Sequence, residues 1–425
     1  MEVINDVVCP FCGCLCDDLE VSIEENHISK IKNACAISRS KFLNHNKNRL
    51  TSPTIDGQVV SLDQALDAVI DVLTTSRRPL VYGLSSTECE AIGKAIEIAE
   101  RTGGVIDNTS SVCHGPTILA LQQVGESKTT LGEVKNRCDL VIFWGCNPTQ
   151  AHLRHLLRYS GIPKGLFTPE GRKNRFIVAV DIRETATTKM ADKFVKIKPN
   201  RDFELLQALS ASVRGNEVPD VAGVSKEEIT EIAELMKKSK FGIIFFGLGL
   251  TQSMGRHMNI DAAALLVAEL NHHTKFLLTP MRGHYNVAGA NTVTTWQTGY
   301  PYAVDFSRGY PRYNPGEYTS IDMLARGEAD AALIIASDPA ATFPANVVRE
   351  LAKIPIITLD QKITPTTMLS KVAIPVATAG IEAEGTAYRM DGVPLRLSKL
   401  LEPENEVKSD AVILDMIIER MEGKR

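Results

Sequence analysis

Beyond the first fifty residues, short runs of consecutive apolar residues alternate with longer stretches in which apolar residues recur every three or four positions. The first pattern suits strands buried on both faces, and the second suits helices with one buried face. Their alternation predicts a mostly parallel sheet flanked by helices. The predicted strands are Leu80 to Tyr82, Leu140 to Trp144, Phe176 to Val180, Gly242 to Phe246, Ala332 to Ala336 and Pro355 to Leu359. The predicted helices run Thr87 to Thr102, Asp202 to Val213, Lys226 to Lys238 and Asn259 to Asn271.

A diverged internal repeat sharpens this pattern. LVIFWGCNP (140–148) and IVAVDIRETATTKMADKFVKI (177–197) in the first half parallel ALIIASDP (332–339) and IITLDQKITPTTMLSKVAIPV (356–376) in the second. Each copy is a strand ending in a small-residue turn with Asn-Pro or Asp-Pro, then a second strand ending in Asp with Thr four residues later. Such a turn exposes backbone N–H groups to a ligand, and the Asp can accept hydrogen bonds from a ribose or a guanine edge. Two copies imply two nucleotide-like ligands. The competing account is that Asp and Thr merely punctuate a strand-to-helix junction as N-caps.

With 44% apolar residues in 425, the chain can bury a large core and divide into two or three domains. Its 47 basic and 51 acidic residues give a net charge of -4, with no basic block that would track a nucleic acid backbone. The longest apolar stretch, Phe241 to Leu250, has three glycines and is too short to cross a bilayer, so no membrane span is expected. The opening MEVINDVVCP has no positively charged region, apolar region or twin arginine of an export signal, which predicts a cytoplasmic, reducing setting.

In that setting clustered cysteines argue for metal. Cys9, Cys12, Cys16 and Cys35 form C-x2-C-x3-C-x18-C, three close thiols and one distant, which suits an iron–sulfur cubane better than the paired spacing of zinc. Cys14 lies inside the run and can replace a neighbour, and a structural zinc knuckle is the plainer alternative for the group. Farther along, Cys113 precedes His114 in NTSSVCHGPT, where Gly115 and Pro116 are expected to halt a helix. A thiolate beside an imidazole can bind a soft metal while the other moves a proton, although an isolated Cys-His pair is more often a buried thiol beside a hydrogen-bonded ring. In PMRGHYNVAGAN (280–291), Arg282 precedes a small-residue loop, where a guanidinium can grip a planar carboxylate or satisfy loop carbonyls. Cys89 and Cys138 read as packing residues, and Cys146 has no assigned role.

Taken in order, the cysteine motif, Cys113-His114, WGCNP, VDIRETAT, FFGLGLTQ, MRGHYNVAGAN and VAIPVATAGIEAEGTAYRMDG resemble the molybdopterin guanine dinucleotide oxidoreductases related to dimethyl sulfoxide reductase and formate dehydrogenases. The resemblance spans most of the chain. CPFCGCLCDDLE, SSVCHGPT and the short length are most similar to the B-subunit family of formylmethanofuran dehydrogenases.

The resemblance implies an α/β fold with a small N-terminal Fe-S domain and two related Rossmann-like domains, lacking the superfamily's C-terminal β-barrel cap. The implied domains are 1–50 for a 4Fe-4S cluster, 51–112 with 284–400 and 113–283 for the pterins, and a helical tail at 401–425. Cys9, Cys12, Cys16 and Cys35 would hold the cluster. Cys113 would bind tungsten or molybdenum, His114 would move the substrate proton and Arg282 would hold the carboxylate. Gly145, Asn147, Asp181, Arg183 and Asp202 would hold one pterin guanine dinucleotide. Ser337, Asp338, Asp360, Thr364, Glu384, Gly385 and Thr386 would hold or enclose the other. Four pterin sulfurs, Cys113 and a terminal sulfide would complete the metal's ligands.

The implied reaction is reduction of CO2 to formate, the first step of methanogenesis from CO2. The implied partners are an amidohydrolase-like subunit that condenses formate with methanofuran, a small β-barrel cap subunit and ferredoxin-like electron carriers. A free-standing formate dehydrogenase and a cofactor-free scaffold of a formyltransferase complex are the alternatives. Where many relatives place a lysine after the last cluster cysteine, CAISRSK offers both Arg39 and Lys41 as the bridge between cluster and pterin.

Overall fold

Each predicted strand and helix is present, with ends shifted by a few residues, in the computed structural model, which describes residues 2–423. The chain folds as two compact units. One joins the residues up to Val112 with those from His284 onward, and the other runs Cys113–Gly283. Among the described residues no helix is long and apolar enough to cross a membrane.

In the unit from Cys113 to Gly283, a parallel sheet carries the strands in the spatial order Lys193–Lys196, Phe176–Asp181, Leu140–Trp144, Phe241–Phe246 and Lys275–Pro280. The order in which the chain adds strands reverses between Leu140–Trp144 and Phe241–Phe246, which are themselves parallel. The loops leaving those two strands therefore diverge to opposite faces and open a crevice at their carboxyl ends. Both strands are buried throughout, as their unbroken apolar sequences require. The helices Asp202–Val213, Lys226–Lys238 and His257–Leu270 pack their apolar faces on Ile142, Val178, Ile244 and Leu278. Local sequence agrees with this placement. Ser225 caps the second of these helices by accepting from the Glu228 N–H, with Glu227 and Glu228 in its first turn and Lys237 and Lys238 in its last, each complementing the helix dipole.

The other unit has a longer sheet, whose parallel centre runs Val105–Asn108, Pro79–Gly83, Ala331–Ile335, Ile356–Asp360 and Val372–Pro375. Here the reversal falls between Pro79–Gly83 and Ala331–Ile335. Short antiparallel strands close both edges. The cysteine segment forms a loop between the first two strands of an antiparallel sheet, Glu2–Val7, Leu19–Glu24 and His27–Lys32. The helix Asp410–Gly423 packs against Cys89–Thr102.

Three expectations are corrected. Gly115 and Pro116 begin a helix, Gly115–Val124, since proline is well placed in a first turn whose N–H groups have no helical partner. The 280–291 segment is a loop only to Asn286, after which the small residues enter the helix Val287–Thr298. Ala336 leaves its strand with φ 47, in the left-handed region.

Candidate active site

Cys113 and His114 stand at the start of the helix Gly115–Val124, with His114 as its N-cap residue. The FFGLGLTQ loop fixes this entrance, because Thr251 Oγ1 and Gln252 Nε2 both donate to the Cys113 carbonyl at 3.1 Å. The Cys113 side chain is partly covered. Burial pushes its thiol up to about 11 while the nearby Arg282 charge pulls the other way. His114 is wholly buried, with Nδ1 3.2 Å from Thr117 Oγ1 and Nε2 without a hydrogen-bond partner among the described residues. Burial, then the Arg282 charge, drives its pKa down to about 3, so the ring is neutral.

Arg282 follows the Lys275–Pro280 strand and is 6% exposed. Burial lowers its pKa, with Glu126 and Cys113 supplying the opposing negative field. Its carbonyl lies 2.8 Å from His152 Nε2. A thiol, a neutral imidazole and a buried guanidinium are thus gathered within one unit, an arrangement suited to holding a metal beside a small carboxylate. Sequence reasoning missed His152 and Glu126. A pair of histidines three apart in AHLRHLL was the available signal for the former.

The crevice of the same unit holds a cavity of about 390 Å³. Gly145, Asn147, Asp181, Arg183 and Asp202 all line it. Gly145 has φ 56, and a Cβ there would lie 2.9 Å from the Gly249 backbone, so glycine keeps this end of the cavity open. Asp181 accepts from the N–H groups of Ile182 (2.7 Å) and Arg183 (3.3 Å) in its own loop.

In the unit containing the second copy, Ala336 takes the place of Gly145 at φ 47. Asp338 adopts φ -121, ψ 73 where Asn147 has φ -126, ψ 76. Thr366 Oγ1 donates to Asp338 at 2.6 Å, as Thr187 Oγ1 does to Asn147 at 2.6 Å. Thr364 and Thr185 each form a capping box with the Thr three residues on. The N-cap account is therefore correct for the two threonines. Asp360 accepts from the Lys362 N–H at 3.0 Å, and burial raises its pKa to about 6.

Ser337, Asp338, Asp360 and Thr364 share the carboxyl ends of neighbouring strands. Glu384, Gly385 and Thr386 lie elsewhere in that unit, in a cavity of about 510 Å³ shared with Glu88 and Glu90. There the Thr386 N–H and Oγ1 donate to Glu90 at 2.9 and 2.7 Å, and Glu384 pairs with Arg396 at 2.7 Å.

In the cysteine loop, Cys9 N–H donates to the Cys16 carbonyl (2.9 Å) and Leu15 N–H to that of Cys12 (3.0 Å). Ser38 links the distant thiol to this loop. Its N–H donates to Cys35 Sγ (3.4 Å), and its Oγ lies 3.2 Å from Cys9 Sγ. A hydrogen bond from Cys14 draws the Cys12 thiol down, while Cys14 itself is buried and raised well above the usual range. Among the described residues no three potential ligands converge as a single-ion site. Lys41 stands over the Phe11 ring at 5.3 Å, and its charge reaches Cys12 and His284.

These residues have relatives. Residues 49–420 match the model of the molybdopterin oxidoreductase family. The chain is 50% identical over 430 residues to the B subunit of a tungsten-containing formylmethanofuran dehydrogenase 2 from Methanocaldococcus jannaschii, covering 99% of each chain. It is 47% identical to the protein of the same description from Methanococcus maripaludis, again with 99% of each covered. In fold it is similar to a chain of the formyltransferase/hydrolase complex from Methylorubrum extorquens, with a TM-score of 0.72, 22% identity, and coverage of 88% of this chain and 99% of that one.

Proposed function

The chain belongs to the molybdopterin oxidoreductase family, in the branch of the tungsten-containing formylmethanofuran dehydrogenase B subunits, and from that premise we propose that it reduces CO2 to formate. The enzyme has a pterin-held metal and works in a multi-subunit complex. The gathering of Cys113, His114 and Arg282 in the unit that also holds the 390 Å³ cavity carries this reading.

When bound, tungsten or molybdenum on two pterin guanine dinucleotides supplies the two-electron couple, fed by a 4Fe-4S cluster on Cys9, Cys12, Cys16 and Cys35. The donor set fits this group. Cys113 would supply a soft thiolate ligand, favoured by the nearby Arg282 charge, and Gly145 would leave room for a dinucleotide turn. His114, held neutral by burial and oriented by Thr117, exchanges the proton of the reaction CO2 + 2 e⁻ + H⁺ → HCOO⁻ through Nε2. Arg282, kept out of water, stabilises the carboxylate charge that develops. Thr251, Gln252 and His152 keep the first and last of these residues in place through their carbonyls. Formate passes to an amidohydrolase-like partner for condensation with methanofuran. A small β-barrel protein caps the pterins, and ferredoxin-like subunits deliver electrons. Of the two candidate bridges between cluster and pterin, Arg39 and Lys41, the field of Lys41 reaches Cys12.

The test is formate production from CO2 by the anaerobically purified complex with a reduced low-potential dye. Cys113→Ser is expected to fall to background, and Arg282→Lys to lose about a hundredfold or more because it loses the fork geometry. Wild-type rates in Cys113→Ser would refute the reading.

A further inference from the structure

Glu88 is the N-cap residue of the helix Cys89–Thr102, and Asp410 opens the helix Asp410–Gly423 that packs against it. Each of the two acids is 1% exposed, and they meet at one buried hydroxyl. Thr87 Oγ1 lies 2.9 Å from Glu88 Oε2 and 2.9 Å from Asp410 Oδ2. A threonine hydroxyl has a single hydrogen, so it can donate to one of these carboxyl groups and must accept from the other. A carboxyl group donates only when it is protonated. Both contacts are hydrogen bonds only if the two acids hold one proton between them.

The remaining oxygens indicate which acid carries it. Glu88 Oε1 accepts from the Ala411 N–H at 3.2 Å, a first-turn donor that no helical carbonyl can serve, where negative charge is favoured. Asp410 Oδ1 is buried with no hydrogen-bond partner among the described residues, which costs an ionised carboxylate far more than a neutral acid. Burial, then the Glu88 charge, raises Asp410 well above the carboxylate range, and Asp360 adds to the effect. Glu90, Cys89 and Tyr285, whose buried hydroxyl also has no partner among the described residues, face the pair without bringing a positive charge. On the two packed helices, Lys94 pairs with Asp415, Arg101 with Glu97 and Glu422, and Arg420 with Asp63 and Asp67. Lys408, just before Asp410, is exposed. Glu88 and Ala411 reach the cavity of about 510 Å³, in which Glu384 pairs with Arg396, and this cavity gives the proton a route to solvent.

We propose that Glu88, Thr87 and Asp410 form a proton clasp on the first turn of the helix Asp410–Gly423, tightest in acid and weaker as pH rises. Asp410 holds the proton on Oδ2 and donates it to Thr87, whose own hydrogen goes to the Glu88 anion. When the turn opens, both carboxyl groups meet water and the proton passes to solvent. Folding raises the Asp410 pKa, so the clasp contributes fully below the ordinary carboxylate pKa of about 4 and is lost progressively as pH rises toward the raised value. Ile417, Ile418 and Met421 hold the later turns by apolar burial, which does not depend on pH. The device therefore acts on the first turn and the cavity wall beside it, and leaves the rest of the helix in place.

Amide hydrogen exchange of the purified complex tests this, with rates corrected for the intrinsic effect of pH. In the wild type, protection of the amides from Ala411 to Leu414 is expected to fall about tenfold for each unit between about pH 5 and about pH 7, the limit for release of one proton. Protection from Ile417 to Met421 should stay level over the same range, which marks the helix as folded. Asp410→Asn should flatten the fall, because its amide donates to Thr87 as the neutral acid does but does not titrate. Glu88→Gln should flatten it as well, since Asp410 can then ionise and accept from Thr87. A level wild-type first turn overturns the clasp, and so does a fall in Asp410→Asn that runs parallel to the wild type. If Asp410→Asn fails to fold, a parallel fall in Glu88→Gln overturns it equally.

Discussion

The two copies of the repeat build the same turn from different residues, and the difference separates what the backbone needs from what a ligand needs. Both turns pass through left-handed geometry, at Gly145 and at Ala336, and both fold an Asn or Asp back onto a threonine. Close approach at the crevice requires a missing Cβ, but either side can provide it. In the first copy Gly145 and Gly249 press together. In the second, it is Gly83, on the adjoining strand, that lacks one, where a Cβ would meet the Ile335 carbonyl oxygen and Ser337. The turn is therefore a property of the fold, while the hydrogen bond from Trp144 to Asp202 lies beside the cavity of the first copy.

Substitutions can break this comparison. The largest effect is expected at Gly83, where a Cβ would overlap the Ile335 carbonyl oxygen. Gly83→Ala should destabilise by about 3 kcal/mol or more, since backbone has no room to yield. Gly145→Ala should follow at about 2–3 kcal/mol, with loss of the first nucleotide. Ala336→Gly should change stability by less than about 1 kcal/mol, because released left-handed strain offsets the added chain entropy. Thermal melting ranks the three, and an Ala336→Gly loss equal to that of Gly145→Ala would show that the turns are not equivalent.

Smaller effects sharpen the same comparison. Asp338 accepts from both the Thr366 N–H (3.0 Å) and its hydroxyl, whereas Asn147 accepts from the Thr149 and Thr187 hydroxyls. Removing the charged acceptor leaves a backbone donor unpaired, so Asp338→Ala should cost about 2–3 kcal/mol against about 1–2 for Asn147→Ala. Equal losses in urea unfolding would argue against charge assistance.

The smallest effect is a pH dependence confined to the second copy. Asp360 is raised to about 6 by burial, so its contribution to stability is full below the ordinary carboxylate pKa of about 4 and is lost as pH rises through about 6. Asp360→Asn keeps the acceptor for the Lys362 N–H and should flatten that decline, on the order of 1 kcal/mol after solvent screening. Unfolding midpoints between pH 4 and 7 that run parallel in the two proteins would contradict it.

Much of this was legible in the sequence. The fully buried strands Leu140–Trp144 and Phe241–Phe246 announced themselves by unbroken apolar runs, and the Lys226–Lys238 helix by apolar residues recurring every three or four positions. The repeat led to Gly145, Asp181 and Asp338, because each lies where a strand must turn. The N-terminal antiparallel sheet was not legible, since its first strand is almost wholly exposed and lacks a clean alternation. Helix entry at Gly115 was misread because Gly-Pro ends helices more visibly than it begins them. Residues that act through another side chain or a carbonyl, such as Trp144, His152 and Thr251, carry no local signature. Their partners lie 58, 130 and 138 positions away.

The most direct test is elemental and nucleotide analysis of the complex purified without air, with tungsten, molybdenum, iron and zinc counted beside acid-released guanosine monophosphate. One tungsten or molybdenum, two guanosine monophosphates and at least four irons attributable to this chain are the expected result. Zinc in place of these, with no guanine nucleotide, would contradict a CO2-reducing pterin centre and leave a cofactor-free scaffold.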